Sequence, residues 1–94
     1  GIFIGEEKYR GHGFGTKALS LLIAHCFDDL GLNKIWTHIL SENQASISIF
    51  KKCGFQVEGN LQQHAFKNGQ FKDVLLVGLC ADQYFSHTQE LVSK

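Results

Sequence analysis

The chain has no methionine in its 94 residues, a single tryptophan and only three cysteines, and its nine basic and nine acidic residues cancel. Balanced charge excludes a global field drawing the chain to nucleic acid or to an anionic membrane. No apolar run approaches the ~20 residues of a membrane-spanning helix, and no secretory signal is visible, so the expected compartment is the cytoplasm. Cys26, Cys53 and Cys80 are odd in number, widely spaced and set in apolar patterns. They read as buried reduced thiols, and no metal ligand set is expected. Repeats, low-complexity stretches and linkers are also lacking, and the length supports one domain at most. With no methionine, the chain opens on Gly1-Ile2-Phe3-Ile4-Gly5. Initiator removal and a processed or truncated chain are both consistent with that start. Myristoylation of Gly1 is disfavoured, because Gly5 stands where the motif needs Ser or Thr.

What is present is apolar: 44% of the residues, with eight phenylalanines, which argues for a globular chain. Its core is adequate but thin, since a chain of this size buries roughly 60–65% of its unfolded surface. Gly1–Gly5 reads as a short strand. Ala18, Leu19, Leu22, Ile23, Cys26, Phe27 and Leu30 form the apolar stripe of an amphipathic helix over roughly 14–30, stopped by Gly31. Lys34–Leu40 is apolar on both parities, so a strand buried on both faces and paired parallel to the first is expected. Ser41-Glu42-Asn43 supplies N-cap chemistry for a second helix over about 44–53, ended by Gly54. A third strand starts at Phe55 and continues past an irregularity at Gly59. Asn68-Gly69 predicts a type I′ turn into a returning strand over 71–79. The expected fold class is thus α/β (α+β), in the order β-α-β-α-β-β, with a partly parallel sheet and a closing antiparallel hairpin. Residues 1–81 form the core unit, and 82–94, with no clear period, a C-terminal tail.

Chemistry concentrates at Arg10-Gly11-His12-Gly13-Phe14-Gly15-Thr16, between the first strand and the first helix. Alternate glycines leave backbone N–H groups unshielded, and the helix start points its unpaired donors and positive dipole end the same way. The arrangement is a receptor for an anion, most plausibly a phosphate. It fits neither common nucleotide fingerprint: a dinucleotide G-x-G-x-x-G needs glycine where Thr16 stands, and a P-loop needs Gly-Lys-Ser/Thr where Gly15-Thr16-Lys17 runs.

The pattern Arg/Gln-x-x-Gly-x-Gly/Ala before an amphipathic helix resembles motif A of the Gcn5-related N-acetyltransferase (GNAT) superfamily. Asn43-Gln44-Ala45-Ser46, with Phe50-Lys51-Lys52-Cys53-Gly54-Phe55, is similar to that family's Asn-x-x-Ala/Ser and Tyr/Phe-x-x-x-Gly-Phe segment. Leu61–Gly69 through Asp73-Val74 resembles the closing hairpin of its ribosomal-protein alanine/serine acetyltransferase branch, which polyamine and amino-sugar acetyltransferases share. The resemblance spans about 1–81.

It implies direct acetyl transfer from acetyl-coenzyme A to a primary amine: a protein N-terminal α-amine, a polyamine or an amino sugar. The alternative is a non-catalytic coenzyme A-binding or assembly module, or an inactive fragment. Carried over by position, Phe3, Ile4 and Gly5 would pair with the pantetheine arm. Arg10, Gly11, His12, Gly13, Phe14, Gly15 and Thr16 would cradle the pyrophosphate. Asn43 would hold the pantetheine end, and Lys51 or Lys52 would reach the phosphates. Many members place a Tyr proton donor at the position of Phe50; the ribosomal-protein branch uses a Ser three residues after the Asn, which is Ser46 here. That branch's Glu base falls on Ala65. His64 is adjacent, although strict alternation would send it to the other face; His38 and Glu42 are further candidates for the base. Full-length members carry three more strands and two helices before Gly1–Gly5. The resemblance therefore implies a fragment, or a homo-oligomer whose partner completes the sheet at the first strand.

Overall fold

The computed structural model describes residues 2–3 and 15–86. Its elements run β1 (Ile2–Phe3), α1 (Thr16–Ala24) continuing as a π-turn (His25–Asp29), β2 (Lys34–Leu40), α2 (Gln44–Lys52), β3 (Gln56–Lys67) and β4 (Gln70–Cys80). Residues 81–86 are helical. The sheet order is β1-β2-β4-β3, with β1 parallel to β2 and the other neighbours antiparallel. The α+β class, the parallel crossover and the closing hairpin are as the sequence predicts.

α2 begins where its cap lies: the Asn43 side chain accepts from the Ser46 N–H at 3.1 Å, satisfying one of the orphan donors of the first turn. The hairpin turns where Asn-Gly requires it. Asn68 and Gly69 have φ of 53° and 75°, and Lys67 faces Gln70 across a two-residue loop. β4 pairs with β2 only as far as Val74. Beyond that point the hairpin is a two-stranded arm, with the Phe66 and Phe71 rings tilted against each other at 5.0 Å near its tip and both largely exposed.

The core is one-sided. Leu19, Ile23, Cys26 and Phe27 of the first helical segment and Ile47 and Phe50 of α2 pack with Ile35 and Ile39 of β2 and Val77 and Leu79 of β4. Burial on β2 alternates strictly: Ile35, Thr37 and Ile39 are buried, while Lys34, Trp36, His38 and Leu40 are half-buried. Expected burial on both faces of this strand is therefore met on one among the described residues, because both helices lie on the same side. The opposite side is called the open face below.

The expected helix stripe also ends differently. Leu30 donates its N–H to His25 O at 3.0 Å, a bond five residues back, and its side chain is 54% exposed. The wider π-turn rotates the last residues, so Cys26 and Phe27 keep the core and Leu30 leaves it. Residues 82–86, expected to begin a tail, return to this turn. Tyr84 stacks on Phe27 at 4.9 Å and donates its hydroxyl to Asp28 at 2.9 Å.

Two groups make the fold sensitive to alkaline pH. Burial pushes the Cys26 thiol above its ordinary range. The Lys34 ammonium is raised too, chiefly by its 2.7 Å hydrogen bond to Glu58. For each group the unfolded chain loses its proton first. The stability they contribute is complete below the unfolded value, about 9 for the thiol and 10.5 for the amine, and falls as pH rises through the folded values. The urea midpoint should therefore decline above about pH 9, and Cys26→Ala should flatten the first part of that decline. A midpoint equally pH-dependent in Cys26→Ala would show that the thiol is not its source.

Candidate functional site

The described part of the glycine turn is its end. Gly15 is the N-cap of α1 in an extended conformation, no side chain among the described residues caps the helix, and its first turn carries no acidic residue. Among the described residues, a Cβ at Gly15 would meet no atom within 4 Å, so none of them blocks that side of the backbone. Backbone donors of the first turn therefore stand at an accessible, positively polarised helix end. Ile4, Gly5, Arg10, Gly11, His12, Gly13 and Phe14 lie outside the described residues, as does the side chain of Phe3; the backbone of Phe3 pairs with Trp36.

The structure brings the end of α2 to this helix start. Cys53 Sγ lies 3.7 Å from both Thr16 O and Ser20 Oγ. Lys51 and Lys52, exposed in the last turn of α2, therefore share one end of the molecule with the α1 donors. At the other end of α2, Asn43 uses its amide oxygen for the cap, so a hydrogen bond to a ligand carbonyl has to come from its Nδ2 donors. Ser46 is half-buried in the first turn of α2. Phe50 is 5% exposed and packs edge-to-face on Phe55 at 4.9 Å; its role here is core.

A second group gathers on the open face. His38 and His64 meet edge-to-face with ring centroids 5.8 Å apart, and Trp36 lies 5.5 Å from His38. Strict alternation would have sent His64 away, and the structure overturns that expectation, because β3 bulges between Leu61 and Ala65. Trp36, His38 and Leu76 line an open pocket of about 450 Å³ with Asn33, Lys34 and Glu58. Glu58 occupies a second bulge, between Val57 and Gly59. Its carboxylate lies across Gly78, where a Cβ would come within 2.9 Å of it, and reaches Lys34 at 2.7 Å. Glu42 stands apart, exposed at the turn after β2, where it meets Lys72 at 3.2 Å. Sequence reasoning missed Trp36 and Glu58. Trp36 was findable, since it stands two residues before His38 and so shares its face; Glu58 was not, because its direction depends on the bulge.

The two groups lie on opposite sides of β2, with Ser46 on the helix side and the imidazoles on the open side. Such a division suits a transfer in which one reactant approaches from each side and protons are handled on both. No group of three or more His, Cys, Asp or Glu able to hold a metal occurs among the described residues, and no described helix is long and apolar enough to cross a membrane.

The fold is a four-stranded α+β sheet with both helices packed on one side. Residues 1–56 match the family model described as acetyltransferase (GNAT) domain. The chain belongs to the GNAT acetyltransferase family. It is 35% identical over 85 residues to spermidine N(1)-acetyltransferase of Escherichia coli (strain K12), covering 90% of this chain and 45% of that protein. Among solved structures it resembles spermidine N-acetyltransferase from Vibrio cholerae in complex with CoA and spermine, with a TM-score of 0.74 and 29% identity over 83% of this chain and 46% of that one. The dodecameric structure of that enzyme in an intermediate state matches with a TM-score of 0.73 and 30% identity, over 82% and 45%. The chain spans about half the length of the curated relatives it matches.

Proposed function

We propose that the chain is the cofactor-binding portion of an acetyl-coenzyme A-dependent N-acetyltransferase whose acceptor is a primary amine of the polyamine class. The observation that carries this is the open, uncapped start of α1 beside the lysine-bearing end of α2, in a chain of the GNAT family. The residues fit the coenzyme: helix-start donors and Lys52 suit its phosphates, and the Asn43 amide suits a pantetheine carbonyl. When bound, acetyl-coenzyme A supplies the activated thioester. The chain's own residues then hold the reactants and move protons. On the open face, the His38–His64 pair takes one proton from the substrate ammonium, which frees the neutral amine to attack the thioester. Ser46, on the helix side, gives a proton to the departing thiolate. Cys26 is buried and Cys53 is turned to the α1–α2 contact, which favours direct transfer over a covalent cysteine intermediate. A polyamine acceptor agrees with the relatives' named substrates and with Trp36 and Glu58 beside the histidines, groups that hold ammonium chains.

Thermal shift tests binding, since acetyl-coenzyme A at 100 times its Kd should stabilise the chain by roughly 2.7 kcal/mol. Thiol release with spermidine, amino-sugar and peptide amines then tests turnover; Ser46→Ala and His64→Gln should each lower kcat while sparing the cofactor shift. A flat shift sinks the proposal. A full shift without thiol release favours a second reading, a non-catalytic coenzyme A-binding module, which the buried, hydroxyl-free Phe50 supports. We further propose assembly with other copies at the edge strand β1, consistent with the dodecamer of the Vibrio cholerae relative. Sedimentation should show a species heavier than 10.5 kDa; a monomer removes that part.

A further inference from the structure

His64 reaches the open face by a local departure from strand geometry, and the structure shows what holds that departure in place. Between the pairs Leu61↔Val74 and Ala65↔Lys72, β3 advances four residues while β4 advances two. Gln63, in the middle, has φ 48°, a left-handed conformation that non-glycine residues keep only where their surroundings impose it. Asp73 stands opposite this stretch with no ladder partner on β3. Its Oδ1 accepts from the Gln63 N–H at 2.9 Å, so a side chain replaces the ladder bond that the bulge removes. Its backbone carbonyl is engaged on the other side, accepting from the Ser41 N–H at 3.0 Å. Ser41 follows directly on β2 and lies two residues before the Asn43 cap. One residue therefore joins the bulge that carries His64 to the turn that carries Glu42 and Asn43. The neighbouring Lys72 reinforces the link from β4 to that turn by donating to Glu42 at 3.2 Å.

We propose that Asp73 is a positioning residue: by accepting the Gln63 N–H it holds the bulge that turns His64 against His38, and so assembles the imidazole pair that takes up the amine proton. The catalytic half of this statement rests on the acetyltransferase reading; the geometric half is measured without turnover. In the labelled full chain, the nuclear Overhauser contact between the His38 and His64 rings and the exchange rate of the Gln63 amide report the geometry. Asp73→Ala should abolish the ring contact and raise Gln63 exchange at least tenfold, while contacts between Ile39 and Leu75 persist. Asp73→Asn, which keeps an acceptor oxygen, should retain the ring contact. Gln63→Gly should restore it in the Asp73→Ala background, because glycine takes a positive φ without being held. A ring contact that survives Asp73→Ala overturns the proposal. Should Asp73→Ala fail to fold, Asp73→Asn decides: faster Gln63 exchange than in the parent supports the proposal, since the acceptor has lost its charge, and unchanged exchange overturns it. In thiol-release turnover, Asp73→Ala should match the kcat loss of His64→Gln at unchanged KM for acetyl-coenzyme A, with Asp73→Asn restoring it. Full kcat in His64→Gln overturns the catalytic half and leaves the ring geometry standing.

Discussion

Gly15→Asp is expected to leave the chain at least as stable as the parent while removing its response to acetyl-coenzyme A. The two effects have opposite signs for one physical reason. Gly15 has φ −105° and ψ −166°, an extended conformation open to any residue, and a Cβ there meets no atom of the described residues within 4 Å. An aspartate at that position accepts from the N–H groups of the first turn and places negative charge at the positive end of α1, gaining a few tenths to about 1 kcal/mol. Those are the donors assigned to the pyrophosphate, so the carboxylate both occupies them and repels the ligand. We expect at least a 100-fold loss of affinity, about 2.7 kcal/mol, read as loss of the thermal shift. Gly15→Asn caps the same donors without charge and should fall between. An undiminished shift in Gly15→Asp would place the phosphates elsewhere.

Phe27→Ala should produce the largest loss of stability. Phe27 is 2% exposed, stacks on Tyr84 at 4.9 Å and meets Phe85 at 6.4 Å. Truncating a buried phenylalanine costs about 3–5 kcal/mol, against a total of roughly 5–14 kcal/mol for a chain of this length. The cost should be high because helix 81–86 loses its seat at the same time. Tyr84→Phe keeps the ring stack and deletes only the hydroxyl donated to Asp28, so about 0.5–1.5 kcal/mol is expected. Urea unfolding of the two variants checks both values. A loss under about 1 kcal/mol in Phe27→Ala would mean that the C-terminal turn does not rely on this ring.

What was legible in the sequence was local. Asn43 caps α2 from three residues away, and Asn68-Gly69 makes its turn with no help from elsewhere in the chain. The parallel crossover follows from element order alone. What was not legible depends on partners far along the chain. Nothing near Gln63 announces a positive φ; its holder, Asp73, lies ten residues on and across the hairpin. The π-turn at His25–Asp29 is likewise tertiary, since the α-helical period alone places Leu30 in the core. The side on which α1 and α2 settle could not be read from β2, whose two parities are both apolar. Asn43 and Ser46 were singled out by the family resemblance and stand at the start of α2, whereas the meeting of His38 with His64 required the bulge.

Along β2, core packing and the proposed chemistry lie on separate parities. Ile35, Thr37 and Ile39 are each 0% exposed and locked among the helices, so exchange at those positions risks the fold itself. Trp36, His38 and Leu40 alternate with them on a face outside the described core. A lineage can rewrite that face one residue at a time without descending through an unstable ancestor. On the proposed reading of the open face, acceptor preference can diverge quickly on a scaffold that scarcely changes, since a fold does not fix what its sites bind.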